Sequence, residues 1–273
     1  MSKRKRIISF LSSLCLIAVS QSLDARSLDL ASTSQSAILI DINKSAPLYE
    51  KNADQRLPMA STTKIMTAIT ALRFFTPDTE MTVPIEAVGT EGTSACLEEG
   101  EIYSLEELLT ALLLQSANDA AVTIALNTAG SIDGFALLMN REARIMGLTG
   151  TNFTNPHGLP DEEHYTTARE LATIAKEAMQ NECISRICAT KRAMITSETG
   201  KNRYFTNHNK MLVSYEGANG VKTGYTKSSG RCLVSSAKRG DVTLIAVTLH
   251  SHDDWREHTA MLDYGFDLAQ VNN

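Results

Sequence analysis

Ser61-Thr62-Thr63-Lys64, Ser116-Ala117-Asn118 and Lys222-Thr223-Gly224 stand in that order along a chain of 273 residues. A serine hydroxyl is a poor nucleophile until a base takes its proton. In Ser-x-x-Lys the two side chains fall about one helical turn apart, share a face and can touch. Lys64 is then a base that needs no histidine. It can act only when neutral, and both burial and nearby positive charge lower a lysine pKa; Lys222 is a source of such charge. Ser-x-x-Lys and Ser-x-Asn each arise by chance roughly once in a chain of this length, and Lys-Thr-Gly in about one chain in twenty. Order, spacing and flanking sequence therefore carry the weight.

The elements that position these residues follow from periodicity. Ser36 to Asp41 reads as a strand, Asn43-Lys44 as a turn and Pro47 to Glu50 as the returning strand of a hairpin. Thr62 to Phe74 has helical spacing in Ile65, Ala68, Ile69 and Leu72. Ser61 then lies at a helix start, where unpaired backbone N–H groups favour developing negative charge. Ser104-Leu105-Glu106-Glu107 opens a helix running through Leu114, and helices follow over Asp119–Thr128, Ile132–Met146 and Thr167–Met179. Ser116-Ala117-Asn118 thus falls in a short link between helices. Gly150 to Tyr165, dense in Gly, Asn and Pro, reads as a loop. Strands dominate after Ala189: one carries Lys222-Thr223-Gly224, the next spans Cys232 to Ala237, and a third Val242 to Leu249, with Arg239-Gly240-Asp241 as a tight turn. A helix over Asp254–Leu268 closes the chain. Strands at both ends with helices between them predict an α+β fold, one antiparallel sheet flanked by helices plus a helical subdomain.

The chain is long enough for a full core, with 43% hydrophobic residues, and one large domain is expected. Lys3-Arg4-Lys5-Arg6, an apolar run from Ile7 to Val19 and small residues at Ala18, Ser20, Ser22 and Ala25 read as an export signal over residues 1–25. The apolar run is short for a membrane span, which needs about 20 residues; a retained anchor is the alternative. Loss of the signal removes four cations and one anion, leaving 22 Lys+Arg against 30 Asp+Glu, a net charge of −8. So acidic a protein has no electrostatic case for nucleic acid. Cys15 lies in the signal; Cys96, Cys183, Cys188 and Cys232 allow three disulfide pairings or buried free thiols, and the sequence does not choose.

The runs Leu57-Pro58-Met59-Ala60-Ser61-Thr62-Thr63-Lys64-Ile65-Met66-Thr67, Leu114-Gln115-Ser116-Ala117-Asn118-Asp119-Ala120, Asn155-Pro156-His157-Gly158-Leu159 and Gly220-Val221-Lys222-Thr223-Gly224-Tyr225-Thr226 resemble the D-alanyl-D-alanine carboxypeptidases among low-molecular-mass penicillin-binding proteins. The similarity runs from Ala37 to Phe266. It implies a β-lactamase/transpeptidase-like fold with the site between sheet and helices, and no cofactor or metal. It also implies an exported enzyme that meets peptidoglycan stem peptides ending in D-Ala-D-Ala and is blocked by β-lactams. Ser61 would be the nucleophile, Lys64 its base, Ser116 a proton relay to the departing D-alanine and Asn118 a holder of substrate and Lys64. Lys222, Thr223, Gly224 and Tyr225 would bind substrate, with Ser61 and Tyr225 backbone N–H groups as oxyanion hole. Arg256 is carried over as a carboxylate partner, a surface arginine being the alternative. His157 is expected to serve its loop. Longer relatives continue beyond Tyr264-Gly265-Phe266 into a β-rich domain and an amphipathic membrane anchor. Here only seven residues follow, so residues 26–273 are expected to form a single catalytic domain without a C-terminal anchor. A serine β-lactamase shares the constellation, but class A enzymes deacylate with a glutamate-activated water, and no Glu-x-x-Leu-Asn segment lies between Asn118 and Lys222. A zinc peptidase built on His250, His252 and His258 lacks ligand spacing. A wall-binding protein without chemistry would have had no need to keep every motif residue.

Overall fold

The computed structural model describes residues 29–271; the leader expected over residues 1–25 lies outside them. β1 (Ser36–Asp41) and β2 (Tyr49–Lys51) form the expected hairpin. A 3₁₀ turn at Ala60–Thr63 leads into α1 (Lys64–Phe74). β3 (Glu80–Thr82) and β4 (Ile102–Ser104) pair as a small ribbon. α2 (Leu105–Thr110) opens on a capping box in which Ser104 and Glu107 satisfy each other's backbone N–H groups. It widens into a π-helical stretch at Ala111–Gln115. α3 (Asn118–Ala129), α4 (Ile132–Ile145), α5 (Ala168–Gln180) and α6 (Glu182–Ala189) complete the helical part. Then come the hairpin β5 (Arg192–Thr196) and β6 (Asn202–Thr206), the short α7 (Met211–Ser214), the strands β7 (Ala218–Thr226), β8 (Gly230–Arg239) and β9 (Val242–Ser251), and α8 (Asp254–Val271).

Five strands form the main sheet in the order β2-β1-β9-β8-β7, every pair antiparallel. The two ends of the chain meet in the register Ser36↔Leu249 to Asp41↔Leu244. Side chains alternate across it, as a pleated strand requires. Ala37 and Leu39 pack with Ala246, Met261, Leu262 and Phe266 under α8. Ile38, Val234, Ile245 and Val247 face the larger core of the helical part. β7 is an edge strand, and its open side is where the helical part comes against the sheet.

Two features depart from expectation, and one alternative left open is decided. The helix predicted through Leu114 does not stay α-helical. α6 was not anticipated; the Asn181 side chain accepts from Ile184 N–H and caps it. The four cysteines are free thiols, Cys183 and Cys188 lying on that one helix.

Candidate active site

Ser61 sits within the 3₁₀ turn, and Lys64 begins α1. The turn is set by threonines: Thr62 Oγ1 donates to Met59 O (2.6 Å) and Thr63 Oγ1 to Ala60 O (2.7 Å). Ala60, just before the serine, has φ +47°, a left-handed conformation that costs energy in a residue with a Cβ. The loop bearing Gly158 presses on it, because a Cβ at Gly158 would stand 1.9 Å from Ala60 O. Only glycine fits there.

The Lys64 amine is fully buried and has three neighbours. It donates to the His157 carbonyl (2.6 Å) and Asn118 Oδ1 (2.7 Å), and lies 2.9 Å from Ser61 Oγ. Burial holds its pKa well below the ordinary lysine value, the Lys222 charge lowers it further, and Asp119 opposes that shift. Lys222 is also buried; its amine donates to Thr223 O (3.0 Å), and desolvation brings its pKa down to about 7.

Ser116 has φ +64° and ends the π-helical stretch. Single π turns of this kind recur at functional sites. Here the turn ends at the buried Ser116, two residues before Asn118 opens α3. Asn118 opens α3; its Nδ2 donates to Glu91 O (2.5 Å) and its N–H to Thr93 O (2.7 Å). A Cβ at Gly224 would come 3.0 Å from Ser61 N and 3.2 Å from Met59 O, so the strand approaches the nucleophile through a missing side chain. Tyr225 follows at the edge, opposite Arg231.

The structure therefore brings Ser61, Lys64 and Asn118 into one hydrogen-bonded group, with Lys222 to Gly224 against it. Arg256 is not part of that group. Its side chain is 87% exposed on the first turn of α8, 4.0 Å from Asp253. Three contributors are not legible in the sequence motifs. The His157 carbonyl binds the lysine through an atom that any residue would offer. His164 accepts from Thr154 N–H at Nδ1 (3.1 Å), which leaves Nε2–H for Thr63 Oγ1 (2.7 Å). Burial keeps that ring neutral, with a pKa of about 4. Asp119 anchors the loop around Asn118.

A family profile described as D-alanyl-D-alanine carboxypeptidase, peptidase S11, matches residues 22–253. The chain belongs to the D-alanyl-D-alanine carboxypeptidase family. DacF of Bacillus subtilis is 34% identical over 90% of this chain and 66% of its own length. DacB2 of Mycobacterium tuberculosis is 32% identical over 86% of this chain and 82% of its own. The chain thus spans just under two thirds of one carboxypeptidase and most of another. Among solved structures, the Streptomyces K15 DD-transpeptidase superimposes with a TM-score of 0.81 at 31% identity, covering 86% of this chain and 97% of that one. A D-alanyl-D-alanine carboxypeptidase of Mycobacterium tuberculosis gives 0.82 at 29%, covering 86% and 91%. The fold is the α+β penicillin-binding fold of this serine peptidase family.

Proposed function

We propose that the protein is a serine-type D-Ala-D-Ala carboxypeptidase that removes the terminal D-alanine of peptidoglycan stem peptides through an acyl-enzyme on Ser61. The observation that carries this reading is the set of neighbours around Lys64. A neutral amine has two N–H donors and one lone pair. Asn118 Oδ1 and the His157 carbonyl can only accept, so they take the two donors. The lone pair is left for Ser61 Oγ, which as a hydroxyl can donate. Lys64 so placed takes the serine proton while Oγ attacks the carbonyl carbon of the penultimate D-alanine.

The backbone N–H groups of Ser61 and Tyr225 would hold the tetrahedral oxyanion. The substrate would lie along the open edge of β7 as an added strand. Thr223 and Lys222 would take its terminal carboxylate, which would also restore the positive charge on Lys222 near neutral pH. Arg256, at the Tyr225 end of the sheet, would act on that carboxylate only from a distance. The leaving amine gains its proton by way of Ser116, and water then hydrolyses the ester. β-Lactams would acylate the same serine. The family's action on peptidoglycan, together with the basic and apolar leader, supports export; residues 1–25 would be the signal and residues 26–273 one catalytic domain. The β-lactamase reading has less support: Glu162 and Glu163 are exposed, and neither bonds to Ser61 or Lys64.

Labelling with fluorescent penicillin and release of D-alanine from a D-Ala-D-Ala peptide test the assignment. Ser61→Ala should abolish both while the circular dichroism spectrum stays unchanged, a loss of several orders of magnitude in rate. Label that persists on another serine would refute it, and rapid turnover of the penicillin would favour a β-lactamase.

A further inference from the structure

Asn118 is buried at the start of α3, yet nothing on α3 itself orients its amide. That is done by the loop of residues 91–97, whose Glu91 and Thr93 carbonyls accept from Asn118 Nδ2 and N–H. Gly92 lies so close that a Cβ there would stand 2.7 Å from Asn118 Nδ2. The loop carries no repeating structure of its own. What holds it is the next residue on the helix, Asp119, whose side chain is buried. The Asp119 carboxylate accepts from Ser94 Oγ (2.6 Å), Ala95 N–H (3.0 Å) and Leu97 N–H (3.0 Å). Bonds to a carboxylate are stronger than neutral ones. On the far side Arg203, also buried, donates to Ala95 O (3.0 Å) and Cys96 O (2.6 Å) and is paired with Glu101 (2.8 Å).

We propose that Asp119 is a positioning residue for acylation: by clasping the 91–97 loop it fixes Asn118, and through Asn118 the amine of Lys64. Resting on the carboxypeptidase reading above, this gives a role to a residue outside the three motif triplets.

Asp119 also acts through its charge. The groups facing Lys64 are Lys222 from β7, Asp119 from α3, and His157 and His164 from the loop between α4 and α5. Both imidazoles are kept neutral, mainly by burial. Asp119 is the anion of that set and favours protonated Lys64. Removing its charge should therefore move the rise of acylation toward lower pH. Loosening the loop alone would admit water, relieve the desolvation of Lys64 and move the rise the other way.

The test measures acylation by a chromogenic cephalosporin from pH 5 to 11 for wild type, Ser94→Ala, Arg203→Lys and Asp119→Asn, with melting curves for each. Ser94→Ala keeps the charge and removes one bond, so the rate should fall severalfold with the pH limb at or above its wild-type position, never below it. Asp119→Asn should lose about tenfold or more and shift the limb to lower pH. Wild-type rates in both Ser94→Ala and Arg203→Lys would overturn the positioning role, and this pair decides it should Asp119→Asn fail to fold. A limb in Asp119→Asn that stays put, or moves to higher pH, would overturn the electrostatic part. A wild-type chain that is never acylated refutes the proposed function instead. The clasp is then read from amide exchange of Ala95 and Leu97, which Ser94→Ala should speed; unchanged exchange would overturn it.

Discussion

Two buried lysines lie at the site, and the charge of one tunes the other. Desolvation penalises the ammonium form of both, and the Lys222 charge further disfavours protonation of Lys64. Lys64 has acceptors for a neutral amine, whereas Lys222 makes one bond to a carbonyl, and the proposed substrate carboxylate would supply another. Replacing Lys222 by methionine removes a repelling cation, so the Lys64 pKa should rise. The acylation limb should then move to higher pH, with weaker binding of substrates that end in a carboxylate. Acylation rates against pH check the sign, and a shift to lower pH would mean that Lys222 does not repel Lys64. Lys64→Arg keeps length and charge but cannot give up a proton near neutrality. It should lower acylation by several orders of magnitude across pH 5 to 11; a rate near wild type would make Lys64 an electrostatic prop and send the search for the base elsewhere.

At the scale of elements, the site is held by close backbone approaches where a methyl group has no room. Gly158→Ala puts a carbon into Ala60 O and asks a non-glycine residue to hold φ +86°. The cost should exceed about 3 kcal/mol, seen as a large drop in melting temperature with loss of penicillin labelling. Gly224→Ala meets Ser61 N at 3.0 Å, a contact that a few tenths of an ångström would relieve. That variant should keep most of its stability and lose acylation, because the added methyl would crowd the Ser61 N–H on which the proposed oxyanion depends. A Gly224→Ala enzyme that labels at the wild-type rate would remove that strand edge from the proposed site. The contrast marks what the sequence could disclose. The grouping of Ser61, Lys64 and Asn118 was legible, since the proposed chemistry asks each for a particular donor or proton, and hydrophobic period placed the helices around them. The π turn before Ser116, the left-handed Ala60 and the His157 carbonyl were not. They are backbone conformations that tertiary packing imposes, and no residue type announces them. Arg256 is expected at the site on resemblance alone, and the structure leaves it on the surface.

At the scale of the molecule, the sheet joins distant parts of the chain, and histidines kept neutral by burial sit at one of its junctions and in the loop beside Lys64. His258 on α8 lies between Ser235 of β8 (Nδ1 to Oγ, 2.5 Å) and Thr248 of β9 (Nε2 to Oγ1, 3.0 Å); burial takes its pKa to about 3. His157 is at about 3, through burial and then the Lys64 charge, and His164 at about 4. Their unfolded pKa is near 6.5, so each is depressed in the fold. A depressed histidine stabilises fully above its unfolded pKa, and that stability drains away as pH falls, because the unfolded chain takes up the proton first. Glu257 adds a loss of the same sign at lower pH. Burial raises its pKa, but bonds from Ser34, Ser251 and Thr33 outweigh that and leave it lowered. The urea midpoint should therefore decline steeply from pH 6.5 to 4, below a separate loss of the same sign that the depressed Lys64 and Lys222 impose as pH falls from about 10.5 toward 7. Each buried imidazole should contribute about 2–3 kcal/mol of that loss. Replacing His258, Ser235 and Thr248 together by Phe, Ala and Val removes one titrating group and both of its polar partners, so the slope of the decline should flatten even if the midpoint at pH 7 changes. A wild-type midpoint constant from pH 7 to 4.5 would mean that these rings are already charged, or reach water, in the folded protein.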